Sequence, residues 1–107
     1  MSGQAVVRSD ISAVTNAARC EITTASAHGL STGNLIRITD LNGMIPTNRG
    51  QTQINNQRFK VYVTSTTSFY LQDPITSNYI NSTNYTPYVE GGSVNLFQTQ
   101  YQYEGDS

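Results

Sequence analysis

The sequence has no tryptophan, one cysteine, one histidine and three prolines. With Cys20 alone there is no intrachain disulfide, and the redox compartment stays open. One cysteine and one histidine also fall short of the four ligands of a closed zinc site. Asp40, Asp73, Glu90 and Asp106 lack calcium-loop spacing, so no metal and no cofactor is expected. Charge is scarce too. Asp, Glu, Lys and Arg make up 12%, about half the usual share. Six basic and seven acidic residues give a net charge of −1, and no basic run signals capture of nucleic acid. No stretch nears the roughly 18 apolar residues of a membrane span. The first residues hold no basic segment leading into an apolar run, so synthesis in a cytoplasm is expected.

What is there is mostly Ser, Thr, Asn and Gln around a thin apolar pattern. At 107 residues and 36% hydrophobic, the chain suits one domain with one modest core. Its near-zero net charge gives little colloidal repulsion, which an assembled subunit tolerates better than a free monomer.

The apolar pattern has period two, the mark of half-buried strands. It predicts strands at Ile11-Ser12-Ala13-Val14-Thr15, Cys20-Glu21-Ile22-Thr23-Thr24 and Leu35-Ile36-Arg37-Ile38-Thr39. Further strands are expected at Phe59-Lys60-Val61-Tyr62-Val63, Phe69-Tyr70-Leu71-Gln72 and Ser93-Val94-Asn95-Leu96. Asn16-Ala17-Ala18-Arg19 is too short for a helix and reads as a turn. Asn42-Gly43 reads as a turn because both residues tolerate positive φ, and Gly91-Gly92 as a bulge or sharp turn. Asp73-Pro74 ends a strand, since proline cannot donate to a ladder.

Two long polar loops remain, residues 44–56, read as exposed, and residues 75–87. The alternating tail from Phe97 to Tyr103 reads as an edge strand or one completed by a partner. The fold expected is all-β, a small barrel or compact two-sheet sandwich of five to seven short strands. Residues 1–10 form an N-terminal arm in this reading, 11–97 the β-barrel module and 98–107 a C-terminal tail.

One ordered set of residues carries a resemblance. It comprises His28-Gly29-Leu30, Gly33, Ile36, Ile38 and Leu41-Asn42-Gly43-Met44. Asn55-Asn56, Phe59-Lys60-Val61, Ser65-Thr66-Thr67 and Phe69-Tyr70-Leu71 follow, then the Tyr85–Tyr88 segment before Gly91-Gly92-Ser93-Val94. Over about residues 20–96 this resembles the first catalytic cysteine half-domain of ubiquitin-activating enzymes, a small β-barrel. The same pattern is widespread in bacteriophage virion proteins. No adenylation or catalytic-cysteine domain accompanies it in these 107 residues, so the resemblance does not imply ubiquitin activation. Residues 44–57 look longer than the pattern needs, and the tail is extra.

His28 invites a catalytic reading, with Cys20 or a serine as nucleophile and Asp40 as orienting acid. The competing reading is a turn in which His28 bonds loop backbone while Gly29 and Gly33 supply positive φ. The resemblance favours the turn, and no catalytic residue is assigned. His-Gly-Leu-Ser-Thr-Gly lacks the Gly-Lys-Ser/Thr ending of a phosphate loop. Asn81 and Asn84 begin Asn-x-Ser/Thr matches of the kind this composition produces by chance.

The expected function is therefore binding. Tyr79, Tyr85, Tyr88, Tyr101 and Tyr103 are interface candidates, because Tyr gives contact area at low entropy cost, with loop packing over the barrel end as the competing reading and stacking on a ligand as the third. Arg49, Gln51, Gln53 and Arg58 join them as interface candidates, and Arg49, Arg58 and Lys60 give the first loop a mild positive bias in this reading. His28, Gly29, Gly33, Gly43, Gly91 and Gly92 are expected to be structural turn residues. The resemblance implies a non-enzymatic virion protein, made in the bacterial host cytoplasm and present in many copies. Its partners would be tail, neck or major capsid proteins. A tail or head–tail accessory subunit is expected first and a capsid decoration protein second. A carbohydrate-binding adhesion module stands as the alternative of another class.

Overall fold

The computed structural model describes residues 8–97. Among them are six strands and no helix: β1 (Arg8–Val14), β2 (Glu21–Thr24), β3 (Leu35–Gly43), β4 (Gln57–Ser65), β5 (Ser68–Gln72) and β6 (Tyr88–Leu96). They close into an antiparallel barrel in the order β1-β2-β5-β4-β3-β6, with β6 pairing back onto β1. The all-β expectation holds, and the choice between barrel and sandwich falls to the barrel.

The period-two pattern explains the core. Ile22, Ile36, Ile38, Phe59, Val61, Phe69, Leu71 and Val94 all point inward and are buried. At about 25 cal/mol per Å², burying such side chains supplies the main favourable term. The two-residue turn Thr66-Thr67 links β4 to β5. β5 stops at Gln72, ahead of Pro74.

Several expectations need correction. β1 starts at Arg8 and Ser9 is buried, so the supposed arm already contributes a strand. Asn42-Gly43 is not a turn but the end of β3, where a register irregularity falls against β6. Gly91-Gly92 is neither bulge nor sharp turn, because the β3–β6 register runs unbroken from Thr39↔Ser93 to Leu41↔Gly91. The positive φ of Asp40 and Gly43 in β3 and of Gly91 and Gly92 in β6 instead bends these two nine-residue strands, as barrel closure requires. Residues 44–56 are not simply solvated, since Met44 and Ile54 are each 1% exposed and belong to the core. Ile80 and Ser82 anchor the second loop in the same way.

Closure also removes edges. Each described strand has a hydrogen-bonded neighbour on both sides, so none of the six is an edge strand along its whole length. The tail alternation, with Tyr101 and Tyr103, lies outside the described residues.

Candidate interaction surface

The His28 turn is the first place to look for chemistry, and it is locked. Nδ1 accepts a hydrogen bond from the Leu30 amide at 3.0 Å. That leaves the proton on Nε2, 2.8 Å from the Ser65 carbonyl oxygen and 3.2 Å from that of Ser68. The His28 amide donates to the Thr66 carbonyl. The ring meets Phe69 edge-on, 5.4 Å between centroids, and the residue is 3% exposed. The imidazole thus clamps the β4–β5 hairpin turn to the loop before β3. Backbone groups engage both nitrogens, and Asp40 engages neither. Gly29 and Gly33 adopt the positive φ that the loop needs.

Cys20 is fully buried on the barrel interior. Burial raises its thiol pKa from 9.0 to about 11, opposed in part by a hydrogen bond with Ser82. Two outcomes follow. Iodoacetamide at pH 7.5 is expected to leave the folded chain unmodified and to alkylate Cys20 once urea unfolds it. Stability is also expected to fall at alkaline pH. The folded state holds the thiol proton more tightly, so this contribution is complete below pH 9 and is lost as pH rises to about 11. A two-unit shift corresponds to about 2–3 kcal/mol. Tyr85 and Tyr88, whose pKa values burial also raises, act in the same direction. Urea melts between pH 8 and pH 11 measure the slope.

The two loops flank a cleft of about 450 Å³, lined by Gln51, Asp73, Asn78, Tyr79, Asn81 and Asn84 among others. The amides of Ile75 and Thr76 donate to Asp73 Oδ1, which lowers its pKa and keeps it ionised. Tyr85 spans the cleft from below. It is 6% exposed and its hydroxyl donates to the Thr52 carbonyl, tying the loops together. Tyr85 is therefore a core residue and not an interface group. Tyr88 is half-buried in β6, with its hydroxyl bonded to the carbonyls of Ile11 and Gly91. The Tyr85 ring is therefore not free to stack on a sugar.

Arg49 and Gln53 are exposed on the first loop and Gln51 is half-buried in the cleft. Arg58 and Lys60 are not loop residues at all; they lie on β4, so the first loop carries Arg49 alone as a cation. Tyr79 joins an aromatic cluster that the sequence reading missed. Tyr62 and Tyr70 stack across β4 and β5 at 6.3 Å, and Tyr79 meets Tyr70 edge-on at 5.6 Å. The Arg19 guanidinium lies 4.4 Å from the Tyr79 ring centre and 5.9 Å from that of Tyr70. Tyr62 is 45% exposed. A signal was present. Matching inward Val61 and Val63 to inward Leu71 and Phe69 puts Tyr62 opposite Tyr70 on the outer wall. Among the described residues no group of His, Cys, Asp and Glu is arranged to hold a metal ion.

The family model of the ubiquitin-activating enzyme E1 FCCH domain matches residues 15–98, most of the chain. The chain belongs to the E1 FCCH family. No curated protein matches it. The match begins inside the turn after β1 and runs past β6, so the FCCH pattern covers five of the barrel's six strands. The His28 clamp, the bent β3–β6 pair and the Tyr cluster all lie on FCCH positions. Arg8 and the whole of β1 precede them.

Proposed function

We propose that this FCCH barrel is a non-enzymatic structural subunit of a bacteriophage virion. It sits in the tail or at the head–tail junction in many copies and binds neighbouring virion proteins. The observation that carries this reading is the rigid aromatic cluster on the outer wall. Tyr62, Tyr70 and Tyr79 are held against one another, with Arg19 over Tyr70 and Tyr79, so a partner gains contact area without first ordering loose side chains. Tyr and Arg are also the residue types that dominate interface energetics. The polar rim of Asn and Gln beside it suits wet, hydrogen-bonded contacts. The sole histidine and sole cysteine are both consumed by the fold, which supports binding over catalysis.

Mass spectrometry of purified particles, followed by image reconstruction, tests the assignment. Copies in the tail or neck are expected. Copies on the capsid surface would make the chain a decoration protein, and absence from particles would overturn both. Tyr62→Ser should cut incorporation at least about tenfold, the effect of losing 1.4 kcal/mol or more at an interface anchor. Its melting temperature should stay near that of the parent chain.

A further inference from the structure

Barrel closure assembles a row of arginines that are far apart in the chain. Arg58 of β4 lies directly opposite Arg37 of β3. Arg37 lies opposite Asn95 of β6, and Asn95 opposite Arg8 of β1. One line across four strands thus reads Arg58–Arg37–Asn95–Arg8, with all three arginines exposed. Lys60, the next outward residue on β4, adds a fourth of the chain's six cations to this wall. Like charges directly opposite each other oppose strand pairing, so Arg37 beside Arg58 is a local cost of this face. Two of the forks are held in place. Arg58 lies over the Phe97 ring at 4.8 Å, and Arg8 Nη2 donates to Ser93 Oγ at 3.3 Å.

We propose that this row is a docking surface for an extended, carboxylate-bearing peptide segment of a partner protein. The chemistry matches, because a guanidinium fork takes a carboxylate bidentately. The spacing matches too. Three interstrand steps of about 4.8 Å place Arg58 and Arg8 roughly 14 Å apart. Acidic residues at alternate positions of an extended peptide share one face, and three of them span about 13 Å. A polyanion such as nucleic acid fits less well. The chain's net charge is −1, and Asp10, two residues from Arg8 on the same strand face, bounds the row. The proposal stands whether or not the chain is a virion subunit.

Fluorescence anisotropy with a labelled Ser-Glu-Ser-Glu-Ser-Glu-Ser peptide and the full chain tests it. Saturable binding is expected, weakening as salt rises from 50 to 300 mM, with none to the Gln-for-Glu peptide. Arg37→Gln should weaken binding at least tenfold while the melting temperature holds or rises, since a like-charge pair is relieved. Absence of binding, or binding indifferent to Arg37→Gln, overturns the proposal. A twelve-nucleotide oligothymidylate bound more tightly than the peptide would assign the row to nucleic acid instead. Peptide binding that appears only in the Glu104→Gln, Asp106→Gln double variant would assign it to the chain's own acidic end.

Discussion

Gly43→Ala is expected to cost 4 kcal/mol or more, a large share of the 5–15 kcal/mol usual for the total stability of a domain. The residue sits at φ +88°, where an L side chain is strained by roughly 1–2 kcal/mol. A Cβ there would lie 2.2 Å from the Pro87 carbonyl oxygen and 2.8 Å from the Val89 nitrogen. Both obstacles are backbone, so no rotamer change relieves them. They belong to the start of β6 and the residue before it, paired to β3 through Gly43↔Tyr88 and Met44 N–H bonds to Thr86 and Pro87. Room for the methyl therefore comes only by parting the longest ladder in the barrel. Gly33 is the control. Its φ is +97° with nothing within 4 Å of an added Cβ, so Gly33→Ala should cost only the conformational 1–2 kcal/mol. Urea melts followed by far-UV circular dichroism compare them; the chain has no tryptophan to follow. Equal losses at both glycines would mean that the close strand approach is not what the barrel depends on.

Gly43 also shows where the sequence was legible and where it was not. Strand existence was open to inspection, because alternation of buried and exposed residues follows from the pleat itself. Asn42-Gly43 misled because tolerance of positive φ serves a bulged strand end as well as a turn, and only the pairing partner distinguishes them. The long loops misled for a different reason. Ser82 is fully buried, yet its hydroxyl bonds to the Thr15 carbonyl and the Ala17 amide. A polar residue satisfied by main chain looks the same in composition as one satisfied by water. Tyr85, sunk between the loops with its hydroxyl on Thr52, was hidden in the same way. The arginine row was out of reach altogether. Residues 8, 37 and 58 meet only through the nonsequential order β1-β6-β3-β4 and three separate registers.

Closure of the barrel narrows how this protein can recognise anything. An open sheet could have recruited a partner strand along a whole free edge, but each of the six described strands already has a neighbour on both sides. Recognition on this wall then rests on side chains. The outer face of β4 carries both candidates in sequence, Arg58 and Lys60 toward one end and Tyr62 toward the other. An anionic segment on the arginines and a neighbour on the tyrosines would share that strand without competing for the same residues.

Substituting His28 is expected to have the next largest effect, about 3–4 kcal/mol for His28→Ala. The buried Leu30 amide loses its acceptor, a desolvation cost of about 1–3 kcal/mol for an orphaned group. The edge contact with Phe69 goes as well, about 0.5–1.5 kcal/mol, and leaves a hole beside a fully buried ring. The Ser65 carbonyl is exposed enough to find water, so it adds little. Asparagine separates these contributions. Its side-chain oxygen stands where Nδ1 does and keeps a partner for Leu30, while reaching neither Ser65 nor Phe69. His28→Asn should therefore recover about 1–2 kcal/mol of the loss. Hydrogen exchange gives the spatial readout. In His28→Ala the Leu30 and Val63 amides should lose protection ahead of Ile36 and Ile38, because the loop before β3 also holds Val63 through Thr32 Oγ1. A general base would behave otherwise: alanine and asparagine would abolish a turnover equally and leave the hairpin turn as protected as before. If His28→Ala melts like the parent chain, the clamp is not structural and the one histidine becomes available for chemistry again.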